Sequence, residues 1–406
     1  MCRKKLKMSK NYKTLCVNDI YLNLSHALDH FMMLVFAKAA YDASKYFSVS
    51  YDSFLIYGTL GFFLFGAMAP VAAYLADKYS RSLLMVIFHF GLGASAILAG
   101  LSSTVYQLAI SMGLIGVFAS IYHPVGISML LKSNRNIGFR LGINGVFGNM
   151  GIAMAPLVTG ALLTFGNWKI CFLFPGVICI LYGILFLKAL KPSKDIDLSK
   201  NLIKNLGKFA PNWPVVLVAL IISSCSGGFI FGSMTFFIPR YFEISMTNLS
   251  NSVFITGLLA SLVYAIASFS QIGVGWLIDR LSPKKILFCM GIGQCFFIWL
   301  TSILTDYTLF FIMIMAMCFV FGQIPITDTI ISRYVPDLWR AKILSLKFLL
   351  NLSVGALILP IGSKLLQNGF SMSELFFIMS LISFFIIISA IILPNQSKAE
   401  RIDLKS

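Results

Sequence analysis

Residues 73–81 read AYLADKYSR, and residues 275–285 read GWLIDRLSPKK. Each segment ends an apolar run with an aspartate and a basic residue, and a serine and further basic residues follow before the chain turns apolar again. Two other similarities recur in the same order: FASI at 118–121 with FGQI at 321–324, and Gly-x4-Pro at 151–156 and again at 355–360. Three matches in one order predict a duplicated unit.

The composition excludes a soluble protein. Of the 406 residues, 58% are hydrophobic and 12% are charged, and the mean hydropathy is +0.87. Soluble domains are about 45–50% apolar and about 25% charged. A membrane-spanning helix needs about 20 apolar residues, and barrel strands give a much weaker hydropathy signal. The sequence predicts an all-α membrane protein with twelve spans, at 17–40, 54–76, 83–100, 106–131, 141–165, 170–190, 214–238, 253–278, 286–304, 307–331, 341–366 and 370–393.

The net charge of +17 is distributed unevenly across the predicted membrane. With twelve spans, 26 of the 32 Lys and Arg residues fall on the side of the two termini. Basic loops mark the cytoplasmic side, so both termini are expected in the cytoplasm and the positive charge is expected to face anionic lipid. This placement argues against nucleic-acid binding. We expect a multi-pass protein of a bacterial inner membrane.

A polar segment divides the predicted spans into two sets of six. It covers residues 191–213 and separates an N-terminal bundle at 1–190 from a C-terminal bundle at 214–406. Duplicated bundles packed about a central axis are an alternating-access transporter architecture, with the substrate site between the bundles near the midplane. We expect a monomer.

These features resemble the major facilitator superfamily over nearly the whole chain. That family's loop between spans 2 and 3 reads roughly G-x-L-a-D-R-x-G-R-K, and this chain has Ala73 and Ser80 where glycine is usual. The resemblance implies a conformational gate in which the aspartate faces the start of span 11, whereas the alternative is that these charges only fix topology. The proposed gate residues of the two copies are Asp77, Lys78 and Arg81, and Asp279, Arg280 and Lys284.

Two shorter segments carry the resemblance further. Residues 151–160 are similar to the superfamily's antiporter motif in span 5, with Ala155 and Thr159 in place of two glycines. Residues 121–126, IYHPVG, look like the His-Pro segment of fosmidomycin-resistance-type members. Together they imply efflux of a drug-like or phosphonate compound.

Ionisable residues inside spans are costly and usually mark a pathway. In span 1, Asp19, Asn23, His26 and His30 follow helical spacing and form one stripe, with Asp29 to one side. Asp19 is equally well explained as an interfacial residue. Histidine titrates near neutral pH and can carry a proton through a transport cycle.

His123 in span 4 precedes Pro124, which frees a backbone carbonyl one turn earlier and favours a bend and a polar site. The alternative is that His123 only binds that carbonyl. In the second half, spans 10 and 11 supply a second group of candidates. This group is Gln323, Asp328, Lys347 and Asn351. Lys347 either binds an anionic substrate group or pairs with Asp328.

Small residues and prolines predict packing and hinge positions in spans 5 and 11. These positions are Gly148, Gly151, Pro156, Gly355 and Pro360, together with Pro124 in span 4. The eight cysteines lie mostly in spans and form no C-x-x-C pair, so we expect neither a disulfide nor a metal site, and no cofactor.

The sequence therefore predicts a secondary transporter of a small organic solute, coupled to protons. A Walker A motif is absent, which argues against an ATP-driven pump. No catalytic motif favours an intramembrane enzyme, and no filter motif favours a channel. Two alternatives remain: proton-linked uptake of a small organic anion, motivated by Lys347, and a non-transporting receptor or scaffold on the same fold.

Overall fold

The computed structural model describes residues 15–130, 137–192, 209–248, 252–278 and 280–395. Helices dominate these ranges, and a two-residue antiparallel ladder pairs β1 (Leu15–Cys16) with β2 (Lys191–Pro192). The helices are α1 Asp19–Tyr46, α2 Tyr51–Ala67, α3 Ala69–Lys78, α4 Arg81–Leu101, α5 Val105–Leu130, α6 Ile137–Phe165, α7 Ile170–Ala189, α8 Trp213–Ser245, α9 Val253–Ile278, α10 Pro283–Thr301, α11 Asp306–Tyr334, α12 Asp337–Ala356, α13 Ile358–Gln367 and α14 Met372–Ile392.

Ten helical segments in the described ranges are long and apolar enough to cross a membrane. Two more, α1 and α2, pass that test only as a pair bent by 120°. α1 fails alone because aspartates, histidines and a lysine lower its hydropathy. An all-helical membrane protein is therefore confirmed, whereas the count of twelve spans and the cytoplasmic termini remain predictions.

The helices form two parts, α1–α7 and α8–α14, and each part packs mainly within itself. In the first part, α1 lies against α6, α2 against α5, and α4 against α7. In the second part, α8 lies against α12, α9 against α11, and α10 against α11 and α14. The two parts meet where α6 contacts α9, α2 contacts α12, and α1 contacts α8.

Glycines allow the closest of these helix contacts. A Cβ atom added at Gly151 would collide with the carbonyl group of Ala27 in α1. A Cβ atom at Gly355 would lie 3.0 Å from the carbonyl oxygen of Gly228 in α8. Gly151 and Gly355 thus lie where two backbones approach each other, as small residues do in membrane helices.

Prolines interrupt some helices and not others. α5 contains a five-residue π-helix, Tyr122–Gly126, which includes Pro124. The helix also breaks at Leu357, between α12 and α13, three residues before Pro360. Proline lacks the N–H that would bond the carbonyl four residues earlier. Pro156, in contrast, lies inside the continuous helix α6.

Candidate functional site

The polar stripe of α1 faces a matching polar stripe on α6. Arg140 forms a two-pronged ion pair with Asp19, in which one N–H···O distance is 2.6 Å. The Nδ2 group of Asn144 donates to the Oδ1 atom of Asn23 at 2.9 Å. The sequence places Asp19 and Asn23 on a stripe that is proposed as part of a pathway. Both have partners within the same part of the chain, because Arg140 and Asn144 of α6 have the same spacing as Asp19 and Asn23.

His26 is held by the backbone of α6. Its Nδ1 atom lies 2.8 Å from the carbonyl oxygen of Asn144, so Nδ1 must carry the proton and donate it. The imidazole stacks on Tyr122 with ring centroids 4.6 Å apart. A Cβ atom at Gly148 would lie 2.6 Å from Cε1 of His26. Gly148 therefore provides the space in which the ring reaches the backbone of its neighbour.

His26, His30 and His123 form one cluster. The Nε2 atoms of His26 and His30 are 3.1 Å apart, and the ring centroid of His123 lies 5.3 Å from the centroid of each. Phe348 of α12 stacks on His123 with centroids 5.3 Å apart. The second part of the chain thus covers a cluster that the first part builds. We call these three residues the histidine cluster.

Asp29 lies next to this cluster, fully buried, with one carboxylate oxygen 3.7 Å from Nε2 of His123. Within the described part of the chain, neither carboxylate oxygen of Asp29 and neither ring nitrogen of His123 has a hydrogen-bond partner. A carboxylate that is buried without a donor is costly unless a proton or a cation accompanies it. Asp29 and His123 therefore form a site suited to holding and releasing positive charge.

The expectation of no metal site considered only cysteines. The three histidines each offer one ring nitrogen, and these nitrogens lie within 4.8 Å of one another. The sequence did not reveal this, because His123 is remote in the chain and a π-helix sets its direction.

The four candidate residues of the second half do not form one site: Lys347 and Asp328 pair with each other, and Gln323 has other partners. Lys347 Nζ lies 2.5 Å from Oδ1 of Asp328, so the structure shows the ion pair that the sequence left open. Gln323 accepts a hydrogen bond from Gln294 at 2.8 Å and donates to Ser223 at 3.1 Å. Asn351 reaches the carbonyl oxygen of Ser224 only at 3.5 Å. Gln323 thus belongs to a polar network that joins α8, α10 and α11.

The predicted gate is only partly described. Asp279 lies outside the described residues, and so does the side chain of Asp77. Their predicted contacts therefore stay predictions. The Nζ atom of Lys78 lies 5.4 Å from the ring centroid of Tyr79, and Arg81 begins α4.

In the second copy, the guanidinium of Arg280 lies 3.8 Å from the Trp276 ring centroid. Lys284 donates to the carbonyl oxygens of Ile391 and Leu393 at 3.0 and 2.6 Å. Lys284 therefore caps the C-terminal end of α14, where a cation is favourable.

A polar connection between the two parts of the chain was not predicted. Lys38 of α1 donates to Glu243 of α8 at 2.5 Å and to Thr256 of α9 at 2.9 Å. Arg240 also pairs with Glu243, at 2.8 Å, and its guanidinium lies 3.4 Å from the Tyr41 ring centroid. The predicted first span ends at residue 40, whereas α1 continues to Tyr46, so Lys38 lies further inside the helix than that prediction places it.

Comparison with known proteins agrees with this architecture. The sequence profile described as Major Facilitator Superfamily matches residues 22–346 and, a second time, residues 242–405. The chain belongs to the major facilitator superfamily. This confirms the family predicted from the repeated loop motif, and it agrees with a multi-pass membrane protein.

Similar proteins include multidrug resistance protein MdtG of Escherichia fergusonii, 25% identical over 228 residues, covering 55% of this chain and 56% of the relative. MdtG of Enterobacter lignolyticus is 27% identical over 233 residues, covering 55% of this chain and 54% of the relative. The chain thus spans about half the length of the curated relatives it matches.

Solved structures share the fold. The D-xylose-proton symporter covers 92% of this chain and 95% of its own, with a TM-score of 0.72 and 13% identity. A bacterial homologue of the human lysosomal transporter Spinster, in an inward-facing and occupied conformation, has the same coverage, a TM-score of 0.72 and 16% identity.

Proposed function

We propose that this protein is a proton-coupled secondary transporter of a bacterial inner membrane that exports a drug-like or phosphonate compound by alternating access. The low-identity relatives named for multidrug resistance support export. The IYHPVG segment at 121–126 and the partial antiporter motif at 151–160 support the same direction. In this proposal the bundles at 1–190 and 214–406, joined by the linker 191–213, rock relative to each other, and the transporter works as a monomer.

One observation carries the proton coupling: Asp29 is fully buried beside His123 and the cluster lies under Phe348 of the other part of the chain. A proton on this pair neutralises the carboxylate or charges the imidazole. Either change alters the net charge at the contact between the two parts, where Phe348 packs on His123. Protonation here therefore affects which conformation is favoured.

We further propose that the loop after α3 biases the conformational equilibrium. In this proposal Asp77 stabilises one state by facing the N-terminal end of α12, which begins at Asp337, where a carboxylate contributes about 0.3–1 kcal/mol. The repeat of the loop at 279–285 would act in the same way.

The test uses purified protein in liposomes with a pH-reporting dye inside. Amphipathic drugs, phosphonates and small carboxylates are added one at a time against a pH gradient of each sign. We expect proton movement that depends on the exported solute, and a flatter pH dependence in His123→Ala. The control is His89→Ala, because His89 bonds Ser25 and the backbone of Met85 outside the cluster. An unchanged pH profile in His123→Ala would remove this role from His123.

Uptake of a small organic anion is the second candidate, because Lys347 is a buried cation. Its ion pair with Asp328 means that an anion would have to displace this carboxylate. Lys347→Gln separates the two candidates: anion uptake loses affinity, whereas export of a neutral or cationic drug changes little. Flux of a labelled carboxylate and of a labelled drug, measured in the same liposomes, checks this.

A further inference from the structure

Three of the chain's four histidines converge on one point in the interior. The ring nitrogens that His26, His30 and His123 offer lie within 4.8 Å of one another. His26 is buried, whereas His30 and His123 are partly exposed, with both ring nitrogens of His123 on their buried side. Imidazole nitrogen suits zinc, copper and nickel ions, whereas magnesium and calcium prefer oxygen. We propose that the histidine cluster binds a divalent transition-metal ion, with Zn²⁺ as the first candidate.

The distance between His26 and His30 fits a metal of this kind, and the nitrogen that His123 offers lies within 4.8 Å of theirs. Zinc binds histidine nitrogen at about 2.0–2.1 Å in tetrahedral geometry, which places two ligand nitrogens about 3.3 Å apart. The Nε2 atoms of His26 and His30 are 3.1 Å apart, one helical turn from each other on the same face of α1. His123 brings its ring from another helix, with both nitrogens unpartnered among the described residues.

The surroundings resemble those of an established metal ligand. A histidine that binds a metal usually donates its other N–H to a carbonyl or a carboxylate, which fixes the ring. Nδ1 of His26 donates to the carbonyl oxygen of Asn144 at 2.8 Å, so Nε2 points its lone pair into the cluster. Gly148 and the stacked ring of Tyr122 hold the imidazole in this position.

Asp29 supplies part of the negative charge that balances such an ion. Its carboxylate is buried, unpartnered within the described ranges, and 3.7 Å from Nε2 of His123. This carboxylate would offset one of the two positive charges of a divalent ion bound by three neutral imidazoles. The three histidines leave a fourth position open, as in zinc sites that also bind water or a substrate group.

The inference goes beyond the proposed function, because binding requires neither a gradient nor an organic solute. The test is a titration of the purified, tag-free protein in detergent with Co²⁺, a spectroscopic substitute for Zn²⁺. We expect one equivalent to bind with visible absorption bands of a four-coordinate nitrogen site, and to be displaced by Zn²⁺. Intense sulfur-to-metal charge-transfer bands would place the ion at the cysteines and overturn the proposal, as would the absence of saturable binding.

Variants locate the ion. His30→Asn and His123→Asn are each expected to weaken Co²⁺ binding by at least about 100-fold, and Asp29→Asn by about 10–100-fold, the range seen for supporting groups. His89→Asn is the matched control, because it removes the remaining histidine, and it should bind as the wild type does. Thermal unfolding confirms that each variant is folded. Equal affinity in the wild type, His30→Asn and His123→Asn would overturn the site, whether or not proton coupling is found in liposomes.

Discussion

At the scale of single residues, the position of His26 depends on the glycine at position 148, which has no side chain to occupy the space of the imidazole. The His26 imidazole lies where a side chain at position 148 would be, and from there it donates to the backbone carbonyl of Asn144. The sequence singled out both residues, His26 for its chemistry and Gly148 for packing. It could not show that they meet, because the rotation of α1 relative to α6 is set by many contacts along both helices.

The change Gly148→Ala tests this relation. The added Cβ atom would lie 2.6 Å from Cε1 and 2.7 Å from Nε2 of His26, so the ring must move and its bond to Asn144 weakens. We expect transport to fall by about tenfold, because a lost hydrogen bond of a buried group costs about 1–3 kcal/mol. Initial rates of solute flux in liposomes measure the effect.

Gly145→Ala is the matched control on the same helix. There the added Cβ atom would lie 3.9 Å from Oε1 of Gln271, an ordinary contact. Both substitutions raise helix propensity by about 1 kcal/mol, so propensity cancels between them. Equal transport by the two variants would contradict the role given to Gly148.

At the scale of elements, the irregular part of α5 determines where His123 points. The π-helix Tyr122–Gly126 contains Pro124, and α11 is interrupted at Gln323, just before Pro325. The sequence predicted a bend at Pro124, and its match of residues 118–121 with residues 321–324 puts Gln323 close to the repeat equivalent of His123. It did not predict which helix each polar group faces, since helical spacing defines faces only where the helix is regular.

Pro124→Ala is expected to restore a regular helix, because alanine supplies the missing N–H and removes the clash of the proline ring. His123 would then turn away from Asp29, and pH-dependent transport would be lost while the melting temperature is unchanged or higher. The control is Pro175→Ala, in the uninterrupted helix α7. Flux against pH and a thermal melt of each variant give the comparison; a Pro124→Ala protein with the wild-type pH profile would show that the π-helix does not position His123.

At the scale of the whole molecule, the two parts are tied together at the end of α1 that lies away from Asp19. Lys38 lies about 28 Å along α1 from its start, at a rise of 1.5 Å per residue, and it bonds Glu243 and Thr256 of the other part. Ser53 and Gln367 add a hydrogen bond of 3.3 Å across the same end. The repeat in the sequence predicted two similar units, but not this closed end, because each of its contacts joins residues that are remote in the chain.

Alternating access requires that this end opens in each cycle. A Ser53→Cys, Gln367→Cys double variant, joined by a short bis-methanethiosulfonate, should therefore stop transport, and a reducing agent should restore it. The variants Ser53→Cys and Gln367→Cys, each made alone and treated in the same way, are the controls. They also account for reaction at native cysteines. Solute flux before cross-linking, after it and after reduction is the measurement. If the cross-linked double variant transports at the rate of the single variants, the contacts around Lys38 and Ser53 do not have to separate, and the alternating-access proposal fails at this end of the molecule.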